Sequence, residues 1–179
     1  MSTSALILTA WMDAESQAVF DALREAHFPP ERNYLKAHVT LFHALPGDRV
    51  DEIVGLLSPV AAETAVIEGR TSRVRFLGRG VAYDVECPEL GRVRARLQAA
   101  MRGVLTLQDS QAGYRPHITV QNKVEPEVAR RLLAALTAGF GSRRIVFEGL
   151  VLWEYLGGPW RHLQDFAFAA AGAPPRVGL

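Results

Sequence analysis

Two segments of the chain, AHVTLF and RPHITV, repeat one pattern of a histidine, an apolar residue and a threonine: His38-Val39-Thr40 and His117-Ile118-Thr119. Both lie among β-branched and apolar residues that read as strand, where side chains two positions apart point to the same face. Each strand therefore presents an imidazole and a hydroxyl side by side. A fold that uses both must bring together two strands that are far apart in the sequence.

The rest of the chain reads as interleaved strands and helices. A strand-like run at 5–11 is followed by Asp13, a good N-cap for an amphipathic helix to about residue 26 with Val19, Phe20 and Leu23 on its apolar face. Phe28-Pro29-Pro30 stops that helix, and the first motif strand follows at 37–41. Pro46-Gly47-Asp48 turns into a helix over 50–57, and two strands at 65–77 and 81–86 are joined by Gly78-Arg79-Gly80. Pro88 opens a helix over 89–101. The polar stretch 106–113 lacks periodicity and reads as a mobile loop. The second motif strand spans 114–121, a helix 126–138, and two further strands, 144–155 and 160–169, flank Gly157-Gly158-Pro159. This order predicts an α+β fold, with 1–169 as one domain and 170–179 as a flexible tail.

Composition narrows the function classes. A formal net charge of +1 excludes a strongly basic coat, which disfavours sequence-independent binding along a nucleic acid but leaves room for a short or terminal phosphate ligand. Cys87 is the only cysteine, so an intramolecular disulfide and a cysteine-rich zinc site are both excluded, as a reducing compartment would suggest. The N-terminal stretch has no basic leader, and its apolar run is too short to span a bilayer. A cytoplasmic monomer that does not associate with membranes is expected.

Two imidazoles suffice for acid and base chemistry near neutral pH, because histidine titrates close to it. In cleavage of a phosphodiester one would take a proton from the attacking oxygen while the other protonates the departing one. Thr40 and Thr119 would donate hydrogen bonds to the non-bridging oxygens. Neither a metal nor a cofactor is then called for. No phosphate-cradling Gly-rich loop, nucleophile elbow or zinc-binding helix motif is present, and neither His-x-Thr motif contains an acidic residue. Strand parity adds Arg115 and Gln121 to the face of His117, and Phe42 to that of His38. Tyr34 and Trp160 are candidate stacking partners for a base. Parity places His43 on the opposite face, His27 ends a helix, and His162 shares the parity of Trp160. Arg73 and Arg75, alternating with Val74 and Phe76, read as a solvated outer face.

AHVTLF and RPHITVQNKV resemble the two signature segments of the two-histidine phosphoesterase superfamily, in its 2′-5′ RNA ligase-like or cyclic phosphodiesterase branch. The resemblance implies a bilobal α+β fold, with two antiparallel-rich sheets facing a central cleft and helices packed outside. It places His38, Thr40, His117 and Thr119 in the catalytic positions, with His117 as base and His38 as acid, an order the sequence alone does not settle. It also implies a phosphodiesterase, a hydrolase of RNA processing that opens 2′,3′-cyclic phosphates on RNA ends or nucleotides to 2′-phosphates. Reversible 2′-5′ RNA ligase activity belongs to the same implication. The alternatives are a non-catalytic binder of RNA ends or nucleotide phosphates and a metal hydrolase, for which the motifs supply no carboxylate.

Overall fold

The structure, a computed structural model, describes residues 4–169, so the expected tail at 170–179 lies outside it. The alternation seen in the sequence becomes β1 (Leu6–Met12), α1 (Ala14–His27), β2 (Val39–Leu45), α2 (Val50–Ala62), β3 (Ile67–Phe76), β4 (Val81–Glu86), α3 (Pro88–Ala100), α4 (Leu107–Ser110), β5 (His117–Gln121), α5 (Pro126–Ala138), β6 (Arg144–Tyr155) and β7 (Trp160–Ala167). Asp13 caps α1 as expected, accepting from Ser16 N at 2.9 Å, and its other oxygen accepts from Val146 N at 2.9 Å. The cap thus also ties α1 to β6. Helix α2 runs past Pro59, where a proline would be expected to end it. Burial of Val60 and Ala61 in the core offsets the missing N–H.

All strand pairs are antiparallel, in the order β2-β1-β6-β3-β4-β5, with β7 added to β6. The two sets of strands expected to face each other are continuous through one short junction. The start of β3, from Ile67 to Arg70, pairs with the start of β6, from Phe147 back to Arg144. Beyond it, that edge of β6 is taken over by β7, from the pair Gly149 and Ala167 onward, while β3 goes on with β4 alone. The sheet therefore forks. Gly149 sits at the fork because a Cβ there would collide with the Phe166 carbonyl oxygen.

Helices α1 and α5 cover the β3-β4-β5 arm, where Phe20 meets Tyr83 edge-on at 5.6 Å, and α2 packs on β7 and α3. One buried cluster joins Leu8, Met12, Phe20, Phe42, Leu57, Leu97, Ile118 and Phe147 across both arms. The branched apolar alternation of the strands and the apolar stripes of the helices account for it.

The two motif strands, β2 and β5, end the path of the sheet on opposite arms and come into contact with each other. Each has a free edge whose peptide groups need partners out of water. Side chains supply them. Tyr114 Oη donates to Thr40 O at 3.0 Å, Arg94 Nε to Leu41 O at 3.0 Å, and Arg24 Nη1 to Thr119 O at 2.9 Å. The stretch expected to be a mobile loop instead carries the single-turn helix α4, capped by Thr106, and buries Asp109 against β2. Its carboxylate accepts from His43 N at 2.9 Å and from Ala44 N at 2.8 Å. A bulge in β2 makes this possible by turning two consecutive N–H groups the same way.

Burial opposes the Asp109 charge, yet its hydrogen bonds with His43 and Ala44 win and hold its pKa below the usual carboxylate value. Asp109→Ala should cost about 2–4 kcal/mol in a urea titration, since two buried donors lose their acceptor. Asp109→Asn keeps one acceptor oxygen and should cost less. Because the folded-state pKa is depressed, the advantage of wild type over Asp109→Asn should be complete above about pH 4, the ordinary carboxylate value. It should disappear as the pH falls below that.

Candidate active site

His38 is held from α1. Asp21 Oδ1 accepts from Ala37 N at 2.7 Å, and Gln17 Nε2 donates to Ala37 O at 2.8 Å, so the residue before the histidine is clamped on both sides. The His38 ring nitrogen Nδ1 lies 2.8 Å from Lys36 O, and that of His117 lies 2.9 Å from Arg115 O. A carbonyl oxygen can only accept, so Nδ1 carries the proton in both rings. Nε2 is left with the lone pair. The two motifs thus repeat not only a sequence but one local bond, from the ring to the carbonyl two residues back.

Burial against the pocket walls pulls the pKa of His38 down to about 4, and the nearby charges of Arg24, His117 and His43 act in the same direction against the Lys36 carbonyl. Burial also lowers the pKa of His117, where Arg75 works against protonation while the Arg115 carbonyl and Asp84 favour it. By themselves these surroundings keep both rings neutral at pH 7. Arg24 is itself buried, which brings its pKa down to about 10, and its guanidinium lies 4.2 Å over the Phe28 ring.

Thr40 and Thr119 are half-buried, each two residues beyond its histidine. Thr40 stands opposite Thr9 on β1, and Thr119 opposite Ala82 on β4. Immediately beyond each threonine the ladder slips by one residue. Phe42 pairs with Leu8 and Gln121 with Val81, so Leu41 and Val120 are the extra residues of two bulges. The bulges cancel the parity that would have placed Phe42 and Gln121 on the motif faces. Phe42 is 0% exposed within the core and Gln121 is 4% exposed, so neither is presented to a ligand in the cleft. The same slip returns His43 toward the cleft side. It is exposed, with Nδ1 3.5 Å from Asp109, and near enough to disfavour protonation of both motif histidines.

A cavity of about 470 Å³ opens beside His38, walled by Thr9, Gln17, Tyr34, Trp153, Trp160 and His162 among others. The Trp160 ring centre lies 4.7 Å from that of His38 and 6.2 Å from that of Trp153. Trp153 donates to Thr9 Oγ1 at 2.9 Å, which leaves its ring face free to pack. Tyr34 stands at the rim, 61% exposed. Tyr34 and Trp160 both line this cavity together with His38. Arg115 is exposed, and what joins it to the site is its carbonyl oxygen on His117.

Across the cleft, Asp84 stands opposite His117 in the β4-β5 ladder and opposite Arg73 in the β3-β4 ladder. Its carboxylate meets Arg73 Nε at 2.6 Å and Arg75 Nε at 2.7 Å. Arg73 is solvated, with its side chain 59% exposed, as the sequence suggests. Arg75 is not: its side chain is only 20% exposed, on β3 facing the Asp84 carboxylate of β4. Among the described residues no group of three or more His, Cys, Asp or Glu side chains could hold a metal ion, and no helix is long and apolar enough to cross a membrane.

The family model of the 2′-5′ RNA ligase superfamily matches residues 12–159. The crystal structure of TT0787 of Thermus thermophilus superposes with a TM-score of 0.68 at 16% identity, covering 93% of this chain and 99% of that one. E. coli LigT complexed with 3′-AMP gives a TM-score of 0.61 at 13% identity, and LigT complexed with ATP 0.58 at 16%; each covers 93% of this chain and 99% of that one. No curated protein matches the chain. These likenesses extend to the α+β architecture as a whole.

His38 has a folded-state pKa below its unfolded value of about 6.5, so protons favour the unfolded chain between the two values. Its contribution to stability is complete above pH 6.5 and is lost as the pH falls toward 4. Chemical denaturation across that window should show wild type losing stability relative to His38→Gln, which cannot titrate. Trp160→Ala, which reopens the ring to water, should raise the His38 pKa toward 6.5 in an NMR titration.

Proposed function

The chain belongs to the 2′-5′ RNA ligase superfamily, and from that premise we propose that it is a metal-independent phosphodiesterase that opens 2′,3′-cyclic phosphates on RNA ends or nucleotides to 2′-phosphates. The observation that carries this reading is the pair of imidazoles. Both have Nδ1 on a backbone carbonyl and Nε2 free, each stands beside a threonine hydroxyl, and they come from strands that meet at the two ends of the sheet path. The aromatic cavity on the His38 side has the size and lining for a nucleoside base.

In this reaction His117 Nε2 takes a proton from water as its oxygen attacks phosphorus. The bond from phosphorus to O3′ breaks, and the imidazolium of His38 gives O3′ its proton. Thr40 and Thr119 donate to the non-bridging oxygens as charge gathers on them. Arg75 beside His117 favours the neutral ring that a base requires. The surroundings of His38 keep it neutral at pH 7, so its proton must arrive with the substrate, whose anionic phosphate raises the pKa of a ring held next to it. Attack by a ribose 5′-hydroxyl in place of water would run the same site as a 2′-5′ ligase with the same base and acid, and cleavage of the 2′-5′ linkage, the reverse reaction, would exchange the two roles.

The test is a screen of 2′,3′-cyclic mononucleotides, cyclic-phosphate-ended RNA and 2′-5′-linked oligonucleotides, with identification of the phosphate position in the product. A 2′-phosphate product that forms equally well in EDTA is expected. His38→Ala and His117→Ala should each lower turnover by roughly 10²- to 10⁴-fold while leaving the fold intact. Wild-type turnover in both variants would sink the proposal. Calorimetry in buffers of different ionisation enthalpy should show a proton taken up as 2′-AMP binds at pH 6.5, and His38→Gln should abolish that uptake. Loss of uptake in His117→Gln instead would exchange the two roles.

A further inference from the structure

Three arginines with largely buried side chains surround the motif strands, and two of them are fully accounted for. Arg24 donates to Thr119 O and Asn33 Oδ1 and lies over Phe28. Arg94 donates to Leu41 O and Asp109 O and lies between Phe42 and Tyr114. Arg75 differs. Its Nε and Nη2 are out of water and have no hydrogen-bond partner, and the facing Asp84 Oδ1 is equally unpaired because the short approach between them has poor geometry. Asp84 gives its well-formed bond to Arg73 through the other oxygen, at 2.6 Å. Two guanidinium groups share one carboxylate, so one positive charge is left without a counterion. A guanidinium withdrawn from water in that state is costly unless something else completes it.

The ladder register shows where the completing group would sit. Arg75 is opposite Ala82, and Ala82 is opposite Thr119; in the neighbouring row Arg73 is opposite Asp84, and Asp84 is opposite His117. Directly opposed residues share a face, so Arg75 lies on the face of Thr119 and His117, separated from Thr119 only by the methyl group of Ala82. The reach of its charge to His117 agrees with that placement.

We infer that Arg75 is a phosphate-binding residue of the cleft, with its guanidinium meeting the non-bridging oxygens of a phosphate ester that His117 and Thr119 also contact. The planar fork suits two phosphate oxygens at once, and the anion supplies the acceptors and the charge that Asp84 cannot. The cleft is then asymmetric: aromatic beside His38 and cationic beside His117. The assignment rests on the reading of the cleft as a phosphate-ester site, but its test does not need turnover.

Inorganic phosphate and 2′-AMP are titrated by calorimetry into wild type, Arg75→Met and Arg75→Lys at pH 7. Arg75→Met should weaken both ligands by roughly 10- to 100-fold, the range for hydrogen bonds to a charged group. Arg75→Lys, a point charge without the fork, should recover part of that loss. In wild type the Arg75 Nε–H resonance should shift on addition of phosphate, a readout that stands even if Arg75→Met fails to fold. Wild-type affinity in a folded Arg75→Met overturns the inference, as does an unmoved resonance, including the case in which wild type binds no phosphate. Arg75-dependent phosphate binding with no turnover of any cyclic phosphate would instead uphold it and remove the catalytic reading.

Discussion

Two strands that no neighbour completes, β2 and β5, have to expose their motifs to a cleft without leaving their own peptide groups stranded. A strand edge out of water with unpaired N–H and C=O groups is unstable, and a strand edge covered by another strand could not line a cleft. Here isolated side chains do the covering. Asp109 takes two N–H groups of β2, Tyr114 and Arg94 serve two of its carbonyls, and Arg24 reaches from α1 to a carbonyl of β5. Each of these contacts joins parts of the chain that are distant in sequence, and together they set where the two histidines stand relative to each other. The segment between α3 and β5 matters in this sense, because it carries both Asp109 and Tyr114.

The same economy governs the histidines themselves. The bond from Nδ1 to the carbonyl two residues back costs no extra residue and selects one tautomer in both rings. Burial then keeps both neutral, and the charges around the cleft differ on its two sides. His38 looks onto Trp160 and the cavity, while His117 looks onto Asp84 and its two arginines. An arrangement that is symmetric in sequence is thus asymmetric in environment, which is what acid and base roles in one step require.

Most of the element order was legible in the sequence, because it follows from local signals. Strands β4 and β6 and helix α5 have the bounds that their turn residues and apolar periodicity suggest, and Asp13 caps α1 as its position before an apolar stripe implies. The doubled His-x-Thr pattern likewise implied that two strands far apart in the chain come together, and β2 and β5 are in contact. Strand parity breaks at each bulge. Phe42 and Gln121 are buried and His43 lies toward the cleft because each ladder slips by one residue just after the threonine, and nothing in either hexapeptide marks that slip. The polar stretch before β5 looked mobile since its anchoring residue, Asp109, bonds to a strand 65 residues away or more.

By itself, then, the sequence determined the residues of the motifs, the alternation of strands and helices, and the kind of proton transfer that two histidines can perform, all of which are set within a few residues of chain. Register, burial and the pairing of charges were decided only in the tertiary structure. Arg75 shows the difference most clearly: its neighbours in sequence make it one member of an alternating, solvated strand face, like Arg73. Its neighbours in the sheet, Ala82 and Thr119, withdraw it from water and leave it facing a carboxylate already bonded elsewhere. The reason is physical: hydrogen-bond partners and desolvation belong to the space around a side chain, and that space is filled by residues the local sequence does not contain.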